Sequence, residues 1–419
     1  MLVVTANWAI PDGSVAAPPR AALFARLFDD IRVAAVRAGM RRDGRYRPLE
    51  RLVVVLAGDT FDGLLSGRWG GDARPWDRSR RALACHAEVL AAAARNARRP
   101  LAALARLARR GVAVPCVDRC GRPMMNRRVV VPVNLVVLAG DRDATLEQPL
   151  ARAWLERRGI GVGSIWEGDD WCVTHGFACD PLAAGEGRPT LLDSLAVDLL
   201  ARFAATLAAR PGLAEPGRRI VRTLADGQPL DMPLRLASGL RALAGSGAEA
   251  TLITTEWRRS VGRWEREARR TGCDDGHGEV AAIAAWMHAL GDDTAIRRLP
   301  RAMITALSAP LPAAASRPRV DRLTVLGHPA SGGDDAEPGV VCLGTPHVRP
   351  YGALAFERAV AGRASCIEAA PSVCPTRLPA VAIPEADECG GMPAAWWPMW
   401  DGGASQACRP QAMPILDAA

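Results

Sequence analysis

Short runs of consecutive apolar residues recur along the chain, and several end abruptly in a polar residue. The clearest run, Leu52 to Ala57, is followed by Gly58 and Asp59, with Asp62 three positions further on. A run of this length, rich in β-branched valine, is typical of a buried parallel strand and is too short to span a bilayer. Because open α/β sheets bind their ligands at the carboxyl ends of the strands, the pattern predicts that Asp59 lies at a binding edge.

Three further strands are predicted, and each ends in a potential ligand. They are Asn134 to Leu138, followed by Ala139-Gly140-Asp141-Arg142-Asp143; Trp171 to Thr174, followed by His175; and Val320 to Leu326, followed by Gly327-His328. Two carboxylates and two imidazoles suit a divalent ion such as Zn, Mn or Fe(II). Taken alone, each residue also has a structural interpretation, an aspartate as the cap of the next helix or a histidine as a satisfied buried side chain.

Between the first and the second of these strand ends, Asp59 and Asp141, the pattern changes to helical periodicity. Arg80 to Arg110 is predicted to form one or two helices with a break at Pro100, and a strand is predicted to begin at Val112. Cys116 to Arg128 is interpreted as a polar surface loop before the apolar run Val129 to Val131.

Residues 183–318 are predicted to form a mostly helical insertion, because apolar residues repeat there at helical spacing. The arginines between Arg258 and Arg270 are interpreted as a solvated face, and the alternative is a basic cap that selects an anionic or lipid-linked substrate. The insertion divides a core made of residues 1–182 and 319–368. Residues 369–419, rich in proline, cysteine and tryptophan, are expected to form a poorly ordered tail.

Composition narrows the classes of partner. The net charge of +8 comes from arginine alone, since the chain contains no lysine. This arginine- and alanine-rich composition is typical of codon bias, so nucleic acid is predicted to be an unlikely partner. No apolar run is long enough to span a bilayer, and no secretory signal precedes the first strand. The eleven scattered cysteines are expected to be reduced thiols in a cytoplasmic protein.

The order of the strand ends resembles that of calcineurin-like metallophosphoesterases, whose motifs are Asp-x-His, Gly-Asp-x-x-Asp, Gly-Asn-His-Asp/Glu, a lone His and Gly-His-x-His. Gly58 to Asp62 matches the second motif, and Phe61 together with His175 to Asp180 is similar in style to the UDP-diacylglucosamine hydrolase branch. The resemblance covers residues 1–182 and 319–350. It implies a four-layer α/β/β/α sandwich and metal-dependent hydrolysis of phosphate esters or pyrophosphates.

The ligands that this chain lacks belong to one metal site of the family, and the ligands that it retains belong to the other. Ala6-Asn7-Trp8-Ala9 contains no Asp-x-His, and Ala330 stands where the last His of the family lies, so three of the four ligands of the family's first metal are absent. The family's second metal has a complete set of potential ligands here: Asp59, Asp141, His175 and His328. The resemblance therefore implies one divalent ion, Mn, Zn or Fe. Asn7 is interpreted as a turn residue, with weak ligation through its amide oxygen as the alternative.

Arg142 replaces the motif-three histidine of the family, and arginine binds phosphate oxygens but does not release a proton near neutral pH. Asp62 and Asp143 are interpreted as accessory residues that orient loops. The expectation is a weakened or altered phosphoesterase that acts on a phosphorylated small molecule or a nucleotide-sugar-like substrate. The alternatives are a catalytically inactive binding or scaffolding protein and a nucleic-acid-binding protein that uses its arginine helices.

Overall fold

A computed structural model describes most of the first 288 residues and four short strands beyond them. The described residues are 1–6, 8–15, 21–41, 43–70, 73–168, 171–175, 189–225, 232–242, 247–273, 279–288, 323–326, 340–342, 380–383 and 397–398. The predicted α/β class is confirmed, because helices surround a largely parallel sheet.

The strands form two main sheets and two short pairs. In chain order they are β1 (Leu2–Thr5), β2 (Ile10–Pro11), β3 (Leu52–Ala57), β4 (Phe61–Asp62), β5 (Val112–Val117), β6 (Pro123–Val131), β7 (Val133–Leu138), β8 (Ile160–Gly163), β9 (Ile165–Glu167), β10 (Trp171–Thr174), β11 (Leu323–Leu326), β12 (Val340–Cys342), β13 (Ala380–Ile383) and β14 (Trp397–Pro398). The larger sheet has the order β14-β13-β1-β3-β7-β8, and β1, β3, β7 and β8 are parallel. The smaller sheet has the order β12-β11-β10-β9.

The helices lie between these strands and in the predicted insertion. In chain order they are α1 (Ala21–Ala38), α2 (Arg80–Asn96), α3 (Arg98–Arg110), α4 (Pro149–Glu156), α5 (Leu191–Ser194), α6 (Arg202–Ala209), α7 (Ala214–Ala225), α8 (Met232–Ala242), α9 (Gly247–Arg270) and α10 (Glu279–His288). None of these described helices combines the length and the apolar character that crossing a bilayer requires.

The larger sheet is buried on both faces at its centre, where β1 and β3 are apolar at nearly every position. Side chains alternate between the faces with a period of two. Val3 and Val54 point toward α1, α3 and α4 in the main core. Val4 and Val55 point the other way, into a cluster with Val173 of β10 in the smaller sheet. The described core is therefore a layer of helices, the larger sheet and the smaller sheet.

Two local predictions need correction. The helix break lies at Ala97 and not at Pro100, which belongs to the first turn of α3. The backbone N–H groups of a first turn have no partner within the helix, so a proline there costs no hydrogen bond and does not interrupt the helix. Cys116 to Arg128 is not a loop but most of the antiparallel hairpin β5–β6, which has an irregular register after Pro115.

Two short segments of residues 369–419 lie among the described residues. Strand β13 pairs antiparallel with β1, and β14 pairs with β13. The apolar sequence of β13 fits beside β1, which would otherwise be the edge of the sheet.

The insertion is helical wherever it is described. A π-helical segment, Leu195–Ala201, joins α5 to α6 without a break. The insertion has its own apolar core, which includes the fully buried Trp257 and Trp264, and Leu65 of the first part of the chain belongs to the same core. Val197 of the π-helical segment packs on Leu64 and Trp69. The insertion therefore rests on the loop that follows Asp62.

A buried ion pair adds to this contact. Arg74 donates from Nε to Asp198 Oδ1 at 2.8 Å, and both side chains are at least nine-tenths buried. Burial raises the pKa of Asp198 to about 6, against the opposing effect of Arg74. Arg74 Nη1 also donates to the backbone carbonyls of Trp69 and Ala73. These bonds satisfy the guanidinium but give it no negative counter-charge.

We expect Asp198→Asn to lower the free energy of unfolding by about 3 kcal/mol, because it leaves the Arg74 charge buried beside a neutral amide. The double variant Arg74→Met/Asp198→Leu removes both charges and is expected to recover most of that loss. Urea unfolding of the three proteins measures the difference. An unchanged midpoint for Asp198→Asn would show that the pair does not stabilise the contact between the insertion and the core.

Candidate metal centre

Three of the predicted ligands meet at one point. Asp59, Asp141 and His175 each offer a ligand atom, and these atoms all lie within 4.8 Å of one another. His175 Nε2 lies 2.6 Å from Asp141 Oδ1 and 3.6 Å from Asp59 Oδ2. All three side chains are buried. Among the described residues this is the group whose geometry fits a metal ion.

The sheet topology explains why residues so distant in sequence come together. Ala57 and Leu138 are register partners at the carboxyl ends of β3 and β7, so Asp59 and Asp141 emerge side by side from the larger sheet. His175 directly follows Thr174, the last residue of β10 in the smaller sheet. The site therefore lies where the carboxyl ends of both sheets converge, as the strand patterns predict.

The orientation of His175 is set by a backbone carbonyl. Its Nδ1 lies 2.8 Å from Ala57 O, and since a carbonyl only accepts, Nδ1 carries the proton and donates. Nε2 is thereby directed at the two carboxylates. Such a bond to the second ring nitrogen is the usual way in which proteins orient a histidine ligand.

The two buried carboxylates favour a positive charge between them. Burial alone would lower the pKa of His175, but Asp59 and Asp141 outweigh it and raise that pKa to about 10. Burial and the neighbouring Asp141 raise the pKa of Asp59 to about 6, although His175 and Arg142 oppose them. A proton on Nε2 supplies the positive charge in the metal-free protein. A divalent cation would supply it in place of that proton, and binding would release the proton.

Glycine precedes each aspartate because no larger residue fits. A Cβ on Gly58 would overlap the imidazole of His175, and Gly58 also has φ +92°. A Cβ on Gly140 would overlap Asp59 Oδ1 and would lie 2.7 Å from the Asp59 backbone nitrogen. The two glycines thus make room for the ligands, which the sequence pattern alone does not show.

Backbone strain is concentrated beside the site. Among the described non-glycine residues, Ala9 and Asp59 have positive φ, at 43° and 51°. One backbone hydrogen bond of 2.7 Å joins them, from Ala9 N to Asp59 O. Residues in this region persist only where the surrounding structure enforces them, and such positions are frequent at functional sites.

Asp143 joins the two Gly-Asp loops. Its Oδ1 accepts from Gly140 N at 2.7 Å, and its Oδ2 accepts from Phe61 N at 3.1 Å. Burial and the nearby Asp59 raise the pKa of Asp143 to about 7. Both oxygens are occupied by backbone donors, so the contacts are those of a residue that orients loops.

Arg142 lies against the ligand group. Its backbone N donates to Asp59 Oδ1 at 3.0 Å, and its Nη1 donates to Asp62 Oδ2 at 3.1 Å. Burial alone would lower the pKa of Arg142, but the negative charges of Asp62 and Asp59 outweigh burial and raise that pKa above its ordinary value. The guanidinium therefore stays charged. Asp62 is itself held by Leu65 N. The Arg142 side chain retains 19% exposure, which leaves part of the guanidinium accessible from outside.

Two predicted site residues, Asn7 and His328, lie outside the described residues. The described strand that precedes His328 is nevertheless informative. In β11, Leu326 is the register partner of Thr174 in the parallel strand β10. Strand β11 therefore ends, at Leu326, beside the strand end that carries His175.

We expect Gly140→Ala to weaken binding of Zn²⁺ or Mn²⁺ by about 10–100-fold, because the new Cβ displaces Asp59 without removing any ligand. Gly161→Ala in β8 is the matched control, since its nearest neighbours lie 3.6 Å from the added Cβ. Metal titration by calorimetry compares the two variants. Equal affinities would show that the close contact at Gly140 does not position the ligand.

Comparisons with known proteins identify no relative. No protein-family model, curated protein or solved structure matches this chain. The resemblance to calcineurin-like metallophosphoesterases therefore rests on the motif residues of the sequence alone.

Proposed function

We propose that this chain is a metal-dependent phosphoesterase-like hydrolase of the calcineurin-like type, with one metal site and weakened or altered activity. The observation that carries the proposal is the convergence of Asp59, Asp141 and His175 from the carboxyl ends of three strands in two sheets. The proposed substrate is a phosphate ester or pyrophosphate in a phosphorylated small molecule or a nucleotide-sugar-like molecule, and the proposed location is the cytoplasm.

The donor set fits a divalent ion. Carboxylates and imidazoles are ligands of Zn²⁺, Mn²⁺ and Fe²⁺. His328 is the proposed fourth ligand, because β11, the strand that precedes it in sequence, is parallel to β10, the strand that precedes His175. Asp141 brings a negative charge to a position where the family has a neutral amide. A bound ion would polarise a phosphate oxygen and lower the pKa of a water molecule.

Arg142 has the proposed role of holding the phosphate. Its Nε lies 4.0 Å from Asp59 Oδ2, so its guanidinium adjoins the ligand group. Asp62 fixes one side of the guanidinium, and the exposed remainder can donate to phosphate oxygens. Because arginine keeps its charge, Arg142 stabilises negative charge on the phosphate and transfers no proton.

The described layers are consistent with the four-layer α/β/β/α sandwich of this family. Helices, the larger sheet and the smaller sheet stack in that order through two apolar clusters. We propose that a further helical layer covers the outer face of the smaller sheet.

A specific observation favours the second candidate function, a catalytically inactive binding or scaffolding protein. Where the family has its first metal motif, Trp8 is buried, donates from Nε1 to Thr5 Oγ1 at 2.9 Å, and stacks edge-on against Phe24. Ala9, the next residue, carries no ligand. A second metal would find no ligand in either side chain.

Metal analysis of the purified protein tests the site. We expect about one Zn²⁺ or Mn²⁺ per chain, with loss of the ion in Asp59→Asn, in His175→Ala and in His328→Ala. His288→Ala is the matched control, because His288 is exposed at the end of α10. Failure of the unmodified protein to bind either ion would contradict the metal-site proposal.

Arg142 distinguishes the two functions. With p-nitrophenyl phosphate as substrate, we expect Arg142→Ala to raise KM about tenfold, equal to about 1.4 kcal/mol of binding, and Arg142→Lys to raise it less. Calorimetry with inorganic phosphate on the metal-loaded protein is expected to show the same ranking of affinity. Phosphate binding that depends on Arg142, without turnover of monoester or diester substrates, would favour the inactive binding protein.

A further inference from the structure

Helix α3 presents a row of arginines to solvent. We name as the α3 arginine row the exposed residues Arg95, Arg98, Arg99, Arg106, Arg109 and Arg110. Arg95 ends α2, and the others belong to α3, which contains no acidic residue. The buried face of α3 holds Leu101 and Leu104, which pack in the main core. The arginines of α3 therefore lie on the face of the helix opposite its buried leucines.

These arginines differ from those of the insertion in lacking counter-charges. Within the described part of the chain, no member of the α3 arginine row forms an ion pair with a carboxylate. Helix α9 carries six arginines, but four of them pair with glutamates: Arg259 and Arg263 with Glu256, Arg269 with Glu265, and Arg270 with Glu267. Among the described ion pairs, α3 is thus left with more unmatched positive charge than α9, the helix that the sequence marks as basic.

The charge continues onto the end of α4. Arg109 Nη2 donates to the backbone carbonyl of Arg157 at 2.8 Å, which brings a further arginine to the row. Burial lowers the pKa of the next residue, Arg158, and repulsion from Arg157 and Arg109 lowers it more. The positive charges at this end of the row are therefore close enough to repel one another, which an anionic partner would relieve.

The surface beneath the row is concave at both ends. A cavity at the start of α3 has Arg95, Arg98 and Arg99 at its rim, and Ile10 and Phe24 are among its lining residues. A shallower depression further along the helix is lined by alanines together with Arg106, Arg109 and Arg110. Thirteen helical residues extend about 20 Å, which corresponds to about six base pairs of a duplex.

We propose that the α3 arginine row binds the phosphate backbone of double-stranded nucleic acid without regard to sequence. Guanidinium groups bind phosphates through two parallel hydrogen bonds. The exposed positions of α3 hold only arginine and alanine, so they offer no aromatic platform for the bases of a single strand. They also offer no large apolar side chain to insert into a bilayer.

This proposal goes beyond hydrolysis at the metal centre and is independent of it. It departs from the expectation, drawn from composition, that nucleic acid is an unlikely partner. Composition counts every arginine equally, whereas the structure separates α9, where four of six arginines are paired with glutamates, from the unpaired arginines of α3.

Fluorescence anisotropy with a mixed-sequence DNA duplex of about 20 base pairs, over a salt series starting at about 50 mM, tests the proposal. EDTA in the buffer keeps the metal centre out of the measurement. The key variant is Arg98→Gln/Arg99→Gln/Arg106→Gln/Arg110→Gln. It spares Arg109, whose bond to Arg157 supports the local structure. The matched control, Arg258→Gln/Arg266→Gln/Arg269→Gln/Arg270→Gln in α9, removes the same number of charges.

We expect the unmodified protein and the α9 control to bind with the same steep salt dependence. The α3 variant is expected to reduce the slope of log K against log salt by about 3 to 4, close to 0.9 for each lost phosphate contact. Circular dichroism confirms that each variant is folded. Absence of binding, equal losses in both variants, or binding to vesicles with anionic lipid but not to the duplex would each overturn the proposal. Val130, exposed beside the end of α3, is the residue that a vesicle interaction would use.

Discussion

The burial of two carboxylates side by side is the constraint on which the site depends. Asp59 and Asp141 leave adjacent strands at the same edge, away from water, where like charges repel strongly. The groups around them supply positive charge or a hydrogen-bond donor: the imidazole of His175, which the carbonyl of Ala57 aims at the pair, and the backbone N and guanidinium of Arg142. Such a site favours a positive charge at its centre, which protonated His175 supplies and which a divalent ion could supply in its place.

The same constraint accounts for the tight geometry of the surrounding loops. The ligands approach so closely that Gly58 and Gly140 have no room for a Cβ, and Asp59 adopts a left-handed backbone conformation. Asp143 holds the two loops at this separation by accepting from one backbone N–H in each. The strain is therefore not an isolated defect but the cost of bringing strand ends from two sheets to one point.

The sequence was sufficient for the strands and their final residues, because a buried parallel strand has a simple pattern and its carboxyl end is a known ligand position. It predicted Asp59, Asp141, His175 and His328 as one group on that basis, and the structure brings the first three together. It could not show that Gly140 exists to clear Asp59, or that Asp143 joins two loops, since both depend on distances across the fold. The hairpin β5–β6 was missed for a related reason: strand β6 is exposed at almost every position, and its apolar and polar residues do not alternate as a strand pattern requires.

The insertion and the metal centre share a physical connection through one loop. Leu64, Leu65 and Trp69 pack against the insertion, and Leu65 N also donates to Asp62, which in turn holds Arg142. Because a packed core transmits displacement, a shift of the insertion would move the loop that fixes Asp62 and, through it, the guanidinium at the site. The contacts of Leu65 and Asp62 therefore couple the position of the Arg142 guanidinium to the packing of the insertion.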